Sequence, residues 1–407
     1  MPINVKSEIA PLKKVMLHRP GDELINLTPN SLKELLFDDI PYLKIAKAEH
    51  DKFAEILKDE GVEVVYLEDL VAEALDTDFG LREKFIKQFV YEAGIRDKDF
   101  TEFICSWLDA NYPDNKSLAL KTMAGINSAE IANEHFSDET LYAHVHAEEM
   151  LIVPPMPNLY FTRDPFATIG TGVSINRMYA QTRNRETIYA DYIFKYHREY
   201  SSVPKYYNRD AFFHIEGGDI LNINENTIAI GISQRTQSGA IDNIAKNIFE
   251  SGSPIDTILA FKLPESRAFM HLDTVFTQVD HNKFTIHPAI LGPLVVYELK
   301  KRAGNKPEIV ECHETVQHVL SRYIGESVEL IMCGGGDAIC ADREQWNDGS
   351  NTLCVSPGRV IVYDRNVETN KTLRSAGLDV LEMPSSELSR GRGGPRCMSM
   401  PLYRENL

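Results

Sequence analysis

The sequence predicts a mixed α/β chain in which five divergent β-rich units are arranged as a ring, with an all-helical segment inserted after the first. Three observations carry this reading. Strand-like segments followed by turns recur along the chain: KKVMLHRPG (13–21), FATIGTGVSINRM (166–178), NTIAIGISQRT (226–236), VFTQVDHNKFTI (275–286) and GRVIVYDRNVET (358–369). Between about residues 72 and 148 β-branched clustering fades and apolar residues fall at helical spacing instead. The 407 residues are 43% hydrophobic and 25% charged, close to the globular average, which excludes wholesale disorder.

The elements follow in order. Residues 11–20, PLKKVMLHRP, read as a strand ending in a turn. Phe53, Ile56 and Leu57 mark a helix over 44–60 that Gly61 stops, and VEVVYL (62–67) reads as the next strand. Leu81, Phe85, Ile86 and Phe89 predict one helix of the insertion, and Phe103, Ile104, Trp107 and Leu108 another. After LIVPPMPN (151–158) the strand pattern returns and continues to the end. The division is therefore 1–71 with 149–407 as one α/β body, and 72–148 as a helical bundle within it. IEGGDI (215–220) and CGGGDAI (333–339) share a Gly-Gly-Asp and read as one structural turn used twice.

Charge and cysteine usage narrow the function classes. With 43 basic and 60 acidic residues the net charge is −17, against a nucleic-acid or anionic-membrane partner and compatible with a cationic substrate. No run of about 18 apolar residues offers a membrane helix, and the first residues lack a secretory pattern, so the expected location is the cytoplasm. Six cysteines without a Cys-x-x-Cys pair suggest neither a disulfide framework nor a zinc ribbon. His135, His144 and His146, near Glu148 and Glu149, read as a solvated helix end and not a metal site.

Four segments hold residue types with chemistry. In SRGRGGPRCMSMPL (389–402), Cys397 follows a glycine-rich loop, and Arg392 and Arg396 offer positive charge that favours a thiolate. A small core cysteine on the strand CMSMPL is the plainer alternative. In FMHLDTVFT (269–277), His271 and Asp273 would share one face of a strand, a natural acid/base pair. In HIEGGDIL (214–221), Glu216 precedes two glycines that permit close backbone approach, although a glycine-containing bulge with a solvated acid is the better reading of this segment alone. In MPNLYFTRDPFA (156–167), Asp164 lies between Arg163 and Pro165, which a surface ion pair in a loop would also explain. Arg183 and Arg235 each offer a fork suited to a carboxylate. Three acids around a thiol would raise its pKa and hinder a peptidase. They suit a cationic substrate that needs bidentate acceptors, such as a guanidinium.

These strings together, with LLFDDIPYL and REQWNDGSNTLCVSPGRVIVYDRN, resemble bacterial arginine deiminases, in order and over nearly the whole chain. The resemblance implies the pentein fold, a five-bladed pseudo-fivefold α/β propeller with a helical insertion. It implies hydrolysis of L-arginine to L-citrulline and ammonia without metal or organic cofactor, as the first step of arginine catabolism. By position, it makes Cys397 the nucleophile, His271 the general acid/base, and Asp164, Asp273 and Glu216 the carboxylates on the guanidinium. Arg183 and Arg235 would clamp the substrate carboxylate. Asn158, Phe161, Gly391 and Arg392 would supply the remaining contacts, the last two on a mobile loop. A homo-oligomer, dimer or tetramer, is expected from the family. Dimethylarginine hydrolases and amidinotransferases share this logic, but NLYFTRDPF and RGRGGPRC favour the deiminase. A non-catalytic relative would be expected to have lost Cys397, His271 or Glu216, and all three are present.

Overall fold

The structure, a computed structural model, describes residues 2–131, 150–264, 269–291 and 294–407. Five of its sheets share one connectivity. A short strand pairs antiparallel with a second, a helix follows, and a third strand returns parallel to the second. Phe166–Ile169, Gly172–Ile175 and Lys205–Tyr207 form one such set, around the helix Thr187–Tyr196. Ile220–Asn222, Thr227–Ile232 and Thr257–Lys262 form another around Ser238–Glu250. Phe276–Gln278, Lys283–Ile286 and Glu329–Met332 form a third, and Leu353–Ser356, Arg359–Tyr363 and Asp379–Met383 a fourth. A parallel return needs a crossover of at least a dozen residues, which is what the helices supply. A further hairpin, Val295–Lys301 with Pro307–Cys312, extends the sheet of Thr257–Lys262 to five strands.

The remaining set joins the chain ends. The C-terminal strand Met400–Arg404 pairs antiparallel with Leu12–Leu17, which pairs in parallel with Glu63–Tyr66 across the helix Leu43–Asp59. Arg404, fully buried, donates to the carbonyls of Ala10 at 2.6 Å and Cys354 at 2.8 Å, and so fixes this strand against two neighbours. The five strand-like sequence segments fall one in each of these five sets.

Helices dominate residues 67–131. Leu67–Leu75, Leu81–Glu92, Lys98–Asn111, Asn115–Ala124 and the short Ser128–Ile131 follow one another. Asp97 and Asp114 cap two of them, accepting from Phe100 N at 2.9 Å and Ser117 N at 2.8 Å. Their apolar faces do not close a core of their own. Phe85, Phe89, Ile104 and Leu118 are continuous with Phe166, Ile188 and Ile193 of the set that begins with Phe166–Ile169, and Phe85 meets the Tyr192 ring edge-on at 5.2 Å.

Two local expectations are corrected. The two Gly-Gly-Asp segments are different structures. Gly334, Gly335 and Gly336 all have positive φ, and Asp337 after them caps the helix Ala338–Trp346. Gly217 and Gly218 do not, and Asp219 is buried, accepting from Leu272 N at 2.8 Å and Ser233 Oγ at 2.7 Å. His271 and Asp273 do not share a strand face either: His271 stands at the N-terminus of the one-turn helix Leu272–Val275, which contains Asp273. His135, His144 and His146 lie outside the described residues.

Candidate active site

The residues with chemistry occupy one topological position. Asp164 stands just ahead of the strand Phe166–Ile169, Glu216 ahead of Ile220–Asn222, His271 and Asp273 ahead of Phe276–Gln278, Asp348 ahead of Leu353–Ser356, and Cys397 ahead of Met400–Arg404. Each lies in the short connection that opens a set, Asp273 in its one-turn helix and the others in irregular backbone free to aim a side chain. Close approach is made possible by glycine at Gly218, where a Cβ would lie 2.7 Å from His271 Nδ1.

All five sequence-predicted catalytic side chains are buried and gathered together. His271 Nε2 is 2.8 Å from Glu216 Oε2, and its Nδ1 is 3.8 Å from Asp164 Oδ1. Against burial, which would lower it, Asp164 and Glu216 hold the His271 pKa up to about 9. Burial alone would raise Glu216, but Arg235, His271 and Arg183 hold it well below the usual carboxylate range. The pair is thus an imidazolium and a carboxylate at neutral pH. Cys397 Sγ lies 3.6 Å from Asp273 Oδ2, and the Cys397 amide donates to Asn351 Oδ1 at 3.0 Å. Burial, then Asp273, Asp164 and Asp348, push this thiol well above its ordinary pKa.

That result corrects the expectation that neighbouring arginines favour a thiolate. Arg396 does oppose the rise, but burial, Asp273, Asp164 and Asp348 outweigh it. Arg396 Nη1 donates to Asp273 Oδ2 at 2.7 Å and its Nε to Glu8 Oε2 at 3.0 Å. Cys397 also precedes its strand, in a turn, and faces a cavity. Asp164 is no surface residue, and Arg163 beside it donates instead to the Arg396 carbonyl at 3.3 Å.

The cavity, of about 950 Å³, is lined by Cys397, His271 and Asp164 together with Asn158, Phe161, Arg183, Arg235, Gly391 and Arg392. Arg183 is gripped by Glu186 and donates to Asp164 Oδ2 at 3.1 Å. Arg235 Nη1 lies 3.5 Å from Glu216 Oε2. Asn158 donates to the Leu35 carbonyl at 2.7 Å, and Phe161 packs on Tyr160. A Cβ at Gly391 would overlap the Tyr160 hydroxyl. Among the described residues, Asp164 Oδ1, Nε and Nη1 of Arg235 and Nε and Nη1 of Arg392 are buried without a hydrogen-bond partner. Buried polar groups are normally satisfied. One cavity therefore holds an unfilled anionic acceptor and unfilled guanidinium donors, complementary to a molecule with a cationic donor end and an anionic end.

Sequence reasoning passed over several lining or supporting groups. Asp348 is buried beside the thiol in left-handed backbone, φ 57°, and burial, followed by Asp273, raises its pKa to about 7 against the opposing Arg392 and His271. Its only sequence signal is the Asp-Gly of NDGSN, which reads as an ordinary turn. Glu8, which pairs Arg396, and Tyr179, whose ring meets Arg235, carry no motif at all. Asp164, Glu216 and His271 offer ligand atoms within 4.8 Å of one another, a spacing that suits a metal ion. Arg183 and Arg235 lie 3.1–3.8 Å from the same carboxylates, so a divalent ion would have to displace two guanidinium groups or face them.

Comparison with known proteins gives a consistent picture. The family described as arginine deiminase matches residues 33–404. An arginine deiminase of Treponema denticola is 58% identical over 412 residues, covering 100% of this chain and 99% of that protein. One of Clostridium perfringens is 51% identical, with 100% and 98% covered. Among solved structures, an amidinotransferase from Microseira wollei matches with a TM-score of 0.57 at 16% identity, covering 100% of this chain and 98% of that one. A dimethylarginine dimethylaminohydrolase from Pseudomonas aeruginosa, complexed with citrulline, matches with a TM-score of 0.52 at 14% identity, with 96% and 99% covered. The structural likenesses show a mixed α/β fold of the pentein kind.

Proposed function

We infer the chemistry of the site from one premise: the chain belongs to the arginine deiminase family. It hydrolyses L-arginine to L-citrulline and ammonia. In our reading the cavity takes arginine with its guanidinium on Asp164, Asp273 and Glu216 and its α-carboxylate on Arg183 and Arg235. Asn158, Phe161, Gly391 and Arg392 complete the contacts. The observation that carries this is the pairing of an unfilled Asp164 acceptor with unfilled Arg235 and Arg392 donors in the cavity that holds the thiol.

Guanidinium resonance makes the central carbon a poor electrophile, so orientation and charge are what the protein must supply. The resting thiol is neutral. An arriving guanidinium brings the positive charge that the surrounding acids lack, lowers the thiol pKa and releases its proton to solvent. The Cys397 thiolate then bonds to the guanidinium carbon, and the C=N electron pair moves onto nitrogen. His271, already protonated, gives its proton to a terminal nitrogen. The C–N bond breaks, ammonia leaves and an S-alkylthiouronium remains. Neutral His271 then takes a proton from water while the oxygen bonds to the same carbon. The C–S bond breaks, sulfur departs as thiolate, and loss of the hydroxyl proton leaves the urea of citrulline. Asp164 and Glu216 stabilise the imidazolium at both ends of this proton cycle.

At the level of the whole chain, the reading makes the five sets blades of one propeller around this site, with 72–148 an inserted helical bundle in a body of 1–71 and 149–407. It places the protein in the cytoplasm as a homo-oligomer, dimer or tetramer, with no nucleic-acid or membrane partner. The net charge of −17 supports the exclusion of nucleic acid. Among the described residues no helix is long and apolar enough to cross a membrane. The test is an assay of citrulline and ammonia from L-arginine, with and without a chelator, beside Cys397→Ala. Equal products, unaffected by the chelator and abolished by the substitution, are expected. Activity lost to the chelator would favour a metal on Asp164, Glu216 and His271. Activity surviving in Cys397→Ala would exclude the covalent route.

A further inference from the structure

We propose that Trp346 is a positioning residue for this reaction, its indole face holding the Arg392 guanidinium in place over the substrate cavity. The inference rests on the reading of Arg392 as a substrate contact. Trp346 ends the helix Ala338–Trp346 and is 50% exposed, although burial is the usual reason for a tryptophan. Its exposed position has a different use. The Arg392 guanidinium carbon lies 3.5 Å from the Trp346 ring centroid, the shortest cation–aromatic approach among the described residues.

Arg392 needs such a support. It sits in left-handed backbone, φ 63°, between Gly391 and Gly393, a conformation a long side chain adopts only when the surroundings compel it. The residue is 7% exposed, yet its Nε and Nη1 have no hydrogen-bond partner among the described residues. Asp38 Oδ2, 3.6 Å from Nη1, supplies charge without a hydrogen bond. Asp348, on the turn that follows Trp346, adds negative charge from the same corner. Coulomb attraction holds the group nearby but does not set the plane of its fork. Stacking on an aromatic face does, and leaves the N–H edge free to meet an anionic group of the substrate.

The proposal is tested by kinetics of Trp346→Phe and Trp346→Leu, each in the parent protein and with Arg392→Ala. Loss of a cation–π contact corresponds to about a 2- to 30-fold rise in KM for Trp346→Leu, with kcat little changed. Phenylalanine, which keeps a π face, should retain most of the affinity. With Arg392→Ala already present, Trp346→Leu should cost nothing more. Losses that add in full would overturn the proposal and leave the Arg392 contact intact. An Arg392→Ala variant with unchanged KM would overturn both. A second arm leaves Trp346 in place. The chain has two tryptophans, so Trp107→Phe makes Trp346 the sole indole emitter. Arg392→Ala should then shift its emission, and an unchanged spectrum would contradict the stack.

Discussion

At the scale of single residues, the site stores protons where the proposed chemistry needs them and leaves the proposed nucleophile, Cys397, uncharged. Burial and three neighbouring acids raise the Cys397 thiol, while His271 is held protonated up to about pH 9. Two outcomes follow. The thiolate absorbance of Cys397 should titrate at clearly lower pH when a guanidinium ligand that is not turned over is bound; an unchanged titration would refute substrate-assisted ionisation. Glu216→Gln removes the anion 2.8 Å from His271 Nε2. The alkaline limb of its pH–rate profile should move down by about one to two pH units, and a profile that keeps its limb would contradict the ion pair. Much of this set was legible in the sequence because the strings that hold Cys397, His271, Asp164 and Glu216 resemble one family when taken together; singly, each string also had a structural reading. Asp348 and Trp346 were not, since an Asp-Gly turn and a helix-end tryptophan are ordinary features until the fold sets them beside Arg392. The charge of Arg396 misled for a related reason: sequence proximity to the thiol does not show which acids the guanidinium is paired with, here Asp273 and Glu8.

At the scale of elements, the turns ahead of the five first strands do the aiming, and their glycines are steric requirements. Gly218→Ala would drive a Cβ into the His271 ring. We expect a kcat loss of at least about tenfold with a stability cost of about 1–3 kcal/mol, separable by comparing turnover with urea midpoints. Another junction joins the first set to the helices that follow it. His18, at the end of the strand Leu12–Leu17, is fully buried between Glu68 at 2.9 Å and Glu23 at 3.3 Å. Against burial, these acids raise its pKa to about 10. The raised pKa means that this pair stabilises fully below about pH 6.5 and loses its contribution as pH rises through 10. His18→Gln should therefore cost about 3 kcal/mol near neutrality and flatten the alkaline fall, read from urea unfolding between pH 7 and 10. Element positions were the most legible part of the fold, because helical spacing and β-branched runs are local. His-x-Asp was misplaced on a strand because a one-turn helix is too short to show a period.

At the scale of the whole molecule, buried ionisable groups set a window of stability. Glu8, held down to about 2 by Arg396 and Arg163 against its burial, loses its contribution as pH falls below its ordinary value of 4.5. His50, which burial and then the nearby His18 keep neutral down to about pH 3, must be charged over the same fall. His271 and His18 lose theirs as pH rises toward 9 and 10. Asp219 and Asp348, raised by burial to about 6 and about 7, cost stability as pH rises from their ordinary value of 3.8 through those values. Urea midpoints should therefore peak near about pH 4–5 and fall toward pH 9; a midpoint still rising at pH 9 would contradict these assignments. The connectivity shared by the five sets was only faintly legible, since five divergent segments share a pattern of strand and turn but little sequence. The central claim is the covalent bond between the substrate carbon and Cys397. The most direct test is intact-protein mass spectrometry of enzyme quenched in acid during turnover of L-arginine. A species heavier by arginine less ammonia, located at Cys397 and missing from Cys397→Ala, is expected. Full turnover with no such species, or an adduct on another residue, would contradict it.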